Sequence, residues 1–165
     1  MTITNQLQVQ WLKGIIINHI GHSKAATHYK SRDRGFGLIT TILSAVVSTA
    51  LFSSLSSETN ENIVLIAGIL SLFGTIASAA FTFLKYGELS EQHRQAAISY
   101  GTLRREFELL LADENAADIH VKMQDINVRR AQFEKTAPVL PQRIFEKAQQ
   151  QADQNTAIRL FNKNA

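Results

Sequence analysis

Two stretches of this chain contain no charged residue and no histidine: GFGLITTILSAVVSTALFSSLSS, residues 35–57, and NIVLIAGILSLFGTIASAAFTFL, residues 62–84. Each is 23 residues long. As a helix, each would measure roughly 35 Å, enough to cross a hydrocarbon core of about 30 Å with some tilt. Two buried core helices of a soluble protein are the competing interpretation, but a chain of 165 residues could hardly cover both on every side. The sequence therefore predicts two transmembrane helices.

Charged residues flank the two predicted spans asymmetrically. Basic residues precede the first span and follow the second: Lys24, Lys30, Arg32, Arg34, Lys85 and Arg94. The connecting residues 58–61, ETNE, are acidic and contain no lysine or arginine. The positive-inside rule then predicts that both termini are cytoplasmic. The predicted organisation is an N-terminal amphipathic cytosolic helix (residues 1–34), a first span (35–57), an extracytoplasmic turn (58–61), a second span (62–84) and a C-terminal cytosolic helical region (85–165).

Composition and motifs give no indication of catalysis. The chain has no cysteine, which excludes disulfides, thiolate chemistry and cysteine-type zinc sites. It has no glycine-rich phosphate loop, no H-E-x-x-H and no G-x-S-x-G motif, and its carboxylates are scattered. A net charge of +3 is too small to predict nucleic acid binding. We therefore expect no enzyme activity, no catalytic residues, no cofactor and no nucleic acid partner.

Hydroxyl side chains are frequent in both predicted spans. In the second span they recur at spacings of four, three and four, which places them on one helix face: Ser71, Thr75, Ser78 and Thr82. Ser44 and Ser48 are comparable positions in the first span. Such a face suits close packing between helices. It also suits the lining of a water-filled path in an oligomer, since two helices per chain cannot enclose a pore alone. The sequence leaves both interpretations open, although the lack of charge in the spans disfavours a selective transporter.

The region after the second span has the periodicity of a helix that packs along another helix. Apolar, small or aromatic residues recur at intervals of three and four: Tyr86, Leu89, His93, Ala96, Tyr100, Leu103, Phe107 and Leu110. We refer to this row as the seam. Because no proline precedes Pro138, the second span is expected to continue into the seam helix over about 50 residues.

Three further segments complete the predicted fold. An amphipathic helix precedes the first span, with Trp11, Ile15, Asn18, His22, Ala25 and Tyr29 on one face. A helix with Met123 and Ile126 on its apolar stripe follows the seam, and a connector bounded by Pro138 and Pro141 leads to a last polar helix. The predicted fold class is an all-α membrane protein: a two-helix transmembrane hairpin with long amphipathic cytosolic helices packed as a helical bundle.

A short pattern occurs twice, once on each side of the predicted hairpin. H-x-x-A-A-x-x-Y describes both residues 22–29 and residues 93–100. If the two helices run antiparallel, the alanine pairs allow close contact and the histidine and tyrosine tips can hydrogen-bond. Chance similarity is the alternative. His19, His22 and His93 have the crude outline of a metal site, but without cysteine or a nearby acidic residue in the first segment we expect packed histidines and no metal ligand.

Two pairs of adjacent arginines occur in the C-terminal region, Arg104 with Arg105 and Arg129 with Arg130. They could contact phosphate or anionic lipid headgroups. Ion pairs on a solvated surface are the more common arrangement for such residues, and we favour that interpretation.

The order of these elements resembles the SLATT domain, a two-transmembrane domain associated with SMODS nucleotidyltransferases and SLOG proteins of bacterial conflict systems. The resemblance extends from about Trp11 to Ala152. The residues that carry it are His22, Ala25, Ala26, Tyr29, His93, Arg94, Ala96, Ala97, Tyr100, Leu103, Glu106, Pro138 and Pro141.

The resemblance implies an effector of antiphage defence of the abortive-infection or CBASS type, located in the bacterial inner membrane. Its implied partners are the lipid bilayer, further copies of itself, and a nucleotidyltransferase or other sensor, with a nucleotide second messenger as one signal. One hypothesis is that the copies oligomerise through the seam, His93 to Leu110, and that the hydroxyl faces then rotate to line a pore. The alternative is a non-conducting, membrane-tethered interaction protein that anchors a partner.

Overall fold

The computed structural model describes residues 3–54, 61–112 and 119–154. Within these residues all regular secondary structure is helical: α1 (Ile3–Ser54), α2 (Glu61–Leu84), α3 (Tyr86–Ala112), α4 (Ile119–Thr136) and α5 (Gln142–Asp153). Two helical stretches are long and apolar enough to cross a membrane, Leu7–Phe52 and Glu61–Ala112. The prediction of an all-helical chain with two long apolar helices is confirmed. The chain divides into two units, unit 1 (Met1–His28 and Leu89–Ala165) and unit 2 (Tyr29–Glu88).

The predicted N-terminal helix and the first predicted span lie on one helix. α1 is 52 residues long, because no proline interrupts its backbone hydrogen bonds. It contributes to both units. Positions 55–57 of the first predicted span, and 58–60 of the predicted turn, lie outside the described residues. Glu61, the last residue of that turn, begins α2, which ends at Leu84 as the second span was predicted to end.

The second span and the seam helix were predicted to form one continuous helix. This prediction is wrong, because Lys85 separates them. Lys85 has a φ of 47°, in the left-handed region that non-glycine residues rarely adopt. α2 therefore ends at Leu84 and α3 begins at Tyr86. The Lys85 ammonium lies 3.1 Å from the Glu88 carboxylate, and both side chains are exposed. Position 85 is neither glycine nor proline, so the residue type did not indicate this break.

We expect Lys85→Gly to stabilise the protein relative to Lys85→Ala. Both variants lose the ion pair with Glu88, but only glycine removes the steric cost of a Cβ atom in the left-handed region. The expected gain is about 1 kcal/mol in the free energy of unfolding, measured by thermal unfolding in detergent. Equal stability of the two variants would show that Lys85 is not held in a left-handed conformation.

Unit 2 consists mainly of the second part of α1 and all of α2, packed antiparallel. Phe36 stacks on Phe81, with ring centroids 6.1 Å apart, and a Cβ atom added to Gly74 would lie 3.8 Å from the Leu43 Cβ. Ala67 is buried. Small residues and one aromatic residue therefore form the face of α2 that contacts α1, because small side chains let two backbones approach closely.

An aromatic cluster adjoins this contact. The Tyr86 ring stacks on Tyr29 and on Phe36, with centroid separations of 6.0 Å and 5.8 Å. The Arg32 guanidinium carbon lies 5.8 Å from the centre of the Tyr86 ring, within range of a cation–π interaction.

The outer faces of unit 2 are apolar and exposed. They carry large side chains that the described residues leave exposed, including Leu38, Ile42, Leu65, Leu72, Phe73, Ile76 and Phe83. In water, a contiguous apolar surface of this kind is strongly unfavourable. In a bilayer the same side chains contact acyl chains, and the helical backbone satisfies its own hydrogen bonds.

Unit 1 has a hydrophobic core built from four helices. Its buried residues include Leu12, Ile15 and Ile16 of α1, Tyr100, Leu103, Phe107 and Leu110 of α3, Met123 and Ile126 of α4, and Ala148 and Ala152 of α5. The α3 residues are those of the predicted seam. Apolar spacing of three and four thus predicted which face of α3 is buried.

The proline connector brings α5 against α1. Residues 137–141 are not helical, and α5 begins directly after Pro141. A Cβ atom on Gly21 would lie 2.7 Å from the Leu140 Cδ1, so the absence of a side chain at Gly21 gives Leu140 its place against α1. Ala148 and Ala152 are completely buried, and an ion pair joins Lys13 to Asp153.

Candidate functional site

The hydroxyl stripe of α2, defined as Ser71, Thr75, Ser78 and Thr82, is exposed along its whole length. It does not form the contact with α1, which uses Ala67, Gly74 and Phe81 on the neighbouring face. Ser44 and Ser48 of α1 are exposed as well. The packing interpretation therefore does not apply to the contact between α1 and α2 of one chain.

Several of these hydroxyls donate hydrogen bonds within their own helix. Thr75 Oγ1 donates to the Ser71 carbonyl and Thr82 Oγ1 to the Ser78 carbonyl, each at 2.9 Å. Ser48 Oγ donates to the Ser44 carbonyl at 2.8 Å. A hydroxyl whose proton is already bonded can lie against lipid at low cost, and its oxygen still accepts hydrogen bonds from water or another helix. The stripe is thus compatible with either environment.

A buried histidine pair joins α1 to α3 in unit 1. The Nδ1 atoms of His22 and His93 lie 2.9 Å apart, and the two residues are 2% and 1% exposed. One ring must donate and the other must accept, so the neutral pair shares one Nδ1 proton. Close by, Ser90 Oγ donates to the Ala26 carbonyl at 2.9 Å. The contacts advance along α1 from 22 to 26 while they go back along α3 from 93 to 90, which shows that α1 and α3 run antiparallel in unit 1.

The alanines of the repeated pattern have the environment that the sequence predicted. Their small side chains are all buried: Ala25, Ala26, Ala96 and Ala97. Small residues at these positions allow the close helix approach that the histidine hydrogen bond requires.

The two tyrosines of the repeated pattern have different environments. Tyr100 is buried in unit 1, where its ring stacks on His22 with centroids 5.6 Å apart and an interplanar angle of 7°. Tyr29 belongs to unit 2 and stacks on Tyr86. Because the helices are antiparallel, pairing the two histidines places the remainder of each pattern on opposite sides of the pair. The two copies differ because the tyrosines have different partners, His22 for Tyr100 and Tyr86 for Tyr29.

Burial keeps the groups of this cluster uncharged. Burial, with a smaller contribution from the neighbouring His93, lowers the pKa of His22 to about 4. Burial also lowers the pKa of His93 and raises the pKa of Tyr100 to about 12, with a smaller contribution from Glu134. At neutral pH the cluster is a set of neutral, stacked and hydrogen-bonded rings.

The distance within the histidine pair fits a hydrogen bond better than shared metal ligation. Two nitrogen ligands of a tetrahedral zinc ion are about 3.3 Å apart, given bonds of about 2.0–2.1 Å. Residues 3–54, 61–112 and 119–154 contain no group of three histidine, aspartate or glutamate side chains placed to hold a metal ion. His19 faces Gly101, since a Cβ atom there would lie 3.1 Å from His19 Nε2. Burial lowers its pKa, and Arg104 and Arg105 lower it further.

The structure shows a cavity beside the histidine pair that sequence reasoning missed. It has a volume of about 370 Å³, and its lining includes Asn18, His22, Tyr100, Glu134, Leu140 and Phe145. The proline connector supplies one wall, and its position against α1 depends on Gly21. A glycine inside an otherwise regular amphipathic helix was the one available signal for such a close approach.

Most of the paired arginines interact with acidic residues of the same chain. Arg104 lies 2.7 Å from Glu108, Arg129 lies 2.5 Å from Glu106, and Arg130 lies 3.0 Å from Glu134. Arg94 of the repeated pattern is exposed and lies 2.6 Å from Glu91. These contacts agree with the interpretation of the arginines as surface ion pairs.

The seam is not available as a contact between copies. Tyr100, Leu103 and Phe107 are almost completely buried against helices of their own chain. The hypothesis that His93 to Leu110 mediates oligomerisation is corrected on this point, because the periodicity predicted a packed face without identifying what packs on it. A contact between intact copies must use another surface.

Comparison with known proteins identifies the family. The family described as SMODS and SLOG-associating 2TM effector domain family 4 matches residues 4–156, a range that includes nearly the whole chain. Comparison with curated proteins finds no match, and comparison with solved structures finds none either. The resemblance inferred from the repeated pattern and the order of elements is confirmed. With its two apolar helices, the chain therefore belongs to family 4 of the SMODS and SLOG-associating 2TM effector domains, which are membrane proteins of bacterial conflict systems.

Proposed function

We propose that this chain oligomerises in the bacterial inner membrane and opens a pore when a partner sensor or a nucleotide second messenger activates it. The observation that carries the proposal is the exposed hydroxyl stripe of α2, on a face that α1 does not cover. An anchor that only tethers a partner has no need of four aligned hydroxyl residues within 12 positions of a span. The proposed activity requires no catalytic group and no cofactor.

The proposed pore requires several copies of the chain. Two helices cannot enclose a water-filled path, so several copies must each contribute a polar face. The α2 stripe supplies one row of hydroxyls, and Ser44 and Ser48 of α1 supply further ones. The predicted spans contain no charged residue, so their oligomer would have no ring of charges to discriminate between ions. The proposed pore is therefore unselective, which suits an effector that disrupts the membrane.

The proposal is tested by leakage from liposomes that contain the purified chain and a trapped dye, and by ion leakage from cells. We expect dye release and arrested growth when the chain is activated. Tight membranes and normal growth, even with the neighbouring defence genes active, would contradict the pore and support the non-conducting, membrane-tethered interaction protein.

We further propose that the chain crosses the membrane twice with both termini in the cytoplasm. Because the chain has no cysteine, single introduced thiols can report the orientation. We expect an impermeant maleimide to label Thr59→Cys on intact spheroplasts. Ser23→Cys, an exposed position in unit 1, should react only after lysis. Labelling of both variants before lysis, or of Ser23→Cys alone, would contradict this orientation.

A further inference from the structure

α3 and α4 form an apolar groove on the surface of unit 1. The groove has a volume of about 620 Å³. Leu110 and Ile126 are buried at its floor, whereas Leu109 and Val121 on its rim are 71% and 68% exposed. We refer to this feature as the α3–α4 groove.

The groove lies outside both predicted spans, so the proposed topology places its rim outside the hydrocarbon core. Adjacent large apolar side chains at such exposure are costly in water and mark an interaction surface. α3 has already used its seam within the chain, but Leu109 lies on a different face of the helix. The groove is therefore available for contact with another molecule, whereas the seam is buried within its own chain.

The charges around the groove indicate which partner fits. Its border carries two acidic and two basic residues: Glu106, Lys122, Asp125 and Arg129. Arg129 bridges the helices, 2.5 Å from Glu106 and 2.7 Å from Asp125. A partner of one charge sign would meet like charges as well as opposite ones, which is unfavourable. A surface with the same mixture of signs around an apolar centre fits better.

A second copy of this chain has that surface. In a two-fold symmetric contact the same patch is used by both copies, so a patch must be complementary to itself. Mixed signs permit this, because Lys122 of each copy can face Glu106 or Asp125 of the other. We infer that the α3–α4 groove is the contact between two copies of this chain, with the two-fold axis close to Leu109 and Val121. The inference rests on the proposed function in that it names the surface through which the copies associate.

Crosslinking of single-cysteine variants of the full chain in membranes tests the inference. Val121→Cys, close to the axis, should form a covalent dimer with a short thiol crosslinker. Val139→Cys is the matched control, since Val139 is 92% exposed and lies on the proline connector, away from the groove. Equal crosslinking of the two variants, no crosslinking of Val121→Cys, or crosslinking only to another protein would overturn the inference.

A charged substitution in the groove gives a second test. We expect Leu109→Glu to weaken self-association in detergent at least tenfold, as measured by analytical ultracentrifugation. Ile98→Glu, at an exposed apolar position nearer the start of α3, should leave it unchanged. Equal effects of the two variants would overturn the inference. Leakage without Val121→Cys dimers would refute the groove contact alone, whereas dimers in tight membranes would refute the pore alone.

Discussion

Replacing Thr75 and Ser78 with leucine should abolish leakage while leaving membrane insertion intact. Both residues belong to the hydroxyl stripe and are exposed, so the larger apolar side chains meet no obstacle within their own chain. In the proposed oligomer the leucine side chains would project into the water-filled path. They would remove two hydroxyl groups per copy and make the path apolar at this level, which favours the loss of water from it. Insertion should persist because leucine favours the membrane interior.

Two further variants separate the loss of hydroxyls from a general effect on α2. Thr75→Val with Ser78→Ala removes both hydroxyls at nearly constant size and should lower conductance without sealing the pore. Ile66→Phe with Ile69→Phe adds bulk at the same spacing on an exposed apolar face and should leave leakage unchanged. Dye release measures all three double variants. Unchanged leakage from Thr75→Leu with Ser78→Leu would show that the stripe does not line the path.

The two long apolar helices and the buried face of α3 were predictable because each rests on a long, regular signal. The absence of charge over the predicted spans 35–57 and 62–84 excludes a solvated segment, whatever the tertiary fold. The three-and-four spacing from His93 to Leu110 identifies one helix face in the same way. Neither signal depends on knowing which partner the face contacts.

The break at Lys85 and the cavity beside His22 depend on tertiary contacts and left no comparable signal. Lysine has no special preference for a left-handed conformation, so its φ reflects the geometry between two helices and not its own chemistry. Leu140 lies against α1 because Gly21 has no side chain, a pairing that spans 119 positions of the sequence. A single sequence cannot reveal that pairing.

The partner of the seam illustrates the same limit. An amphipathic face predicts burial but does not distinguish a helix of the same chain from a helix of another copy. The repeated H-x-x-A-A-x-x-Y pattern indicated a close contact with histidines at the interface, and in the structure the Nδ1 atoms of His22 and His93 lie 2.9 Å apart. It could not show that Tyr100 stacks on His22 whereas Tyr29 stacks on Tyr86, because the pattern is the same in both copies.

The stability of unit 1 should fall as the pH decreases, because of the histidine pair. Burial lowers the pKa of His22 to about 4 from 6.5, so the unfolded chain binds a proton more readily than the folded one between these values. Stability is therefore complete above pH 6.5 and is lost as the pH falls toward 4. Protonation of the accepting Nδ1 would place two N–H donors against each other.

Removing one histidine of the pair should lower the free energy of unfolding of unit 1 even at neutral pH. His93→Leu leaves the buried Nδ1 of His22 without the hydrogen bond that it makes at 2.9 Å. We expect a loss of about 1–3 kcal/mol from this unpaired polar group. Unfolding in detergent can be followed by the fluorescence of Trp11, the single tryptophan, which packs against the core of unit 1.

Replacing both histidines with asparagine removes the titratable groups of the pair and keeps a hydrogen bond between the two positions. Asparagine places a donor and an acceptor near the two Nδ1 positions but cannot take up a proton in this range. His22→Asn with His93→Asn should therefore lose the part of the pH dependence between 6.5 and 4 that the pair causes. Carboxylates also take up protons as the pH falls, but they do so in every variant, so the comparison with wild type removes their contribution. His120→Asn, at an exposed position, should keep the wild-type profile. If the double variant kept that profile too, the buried pair would not be its source.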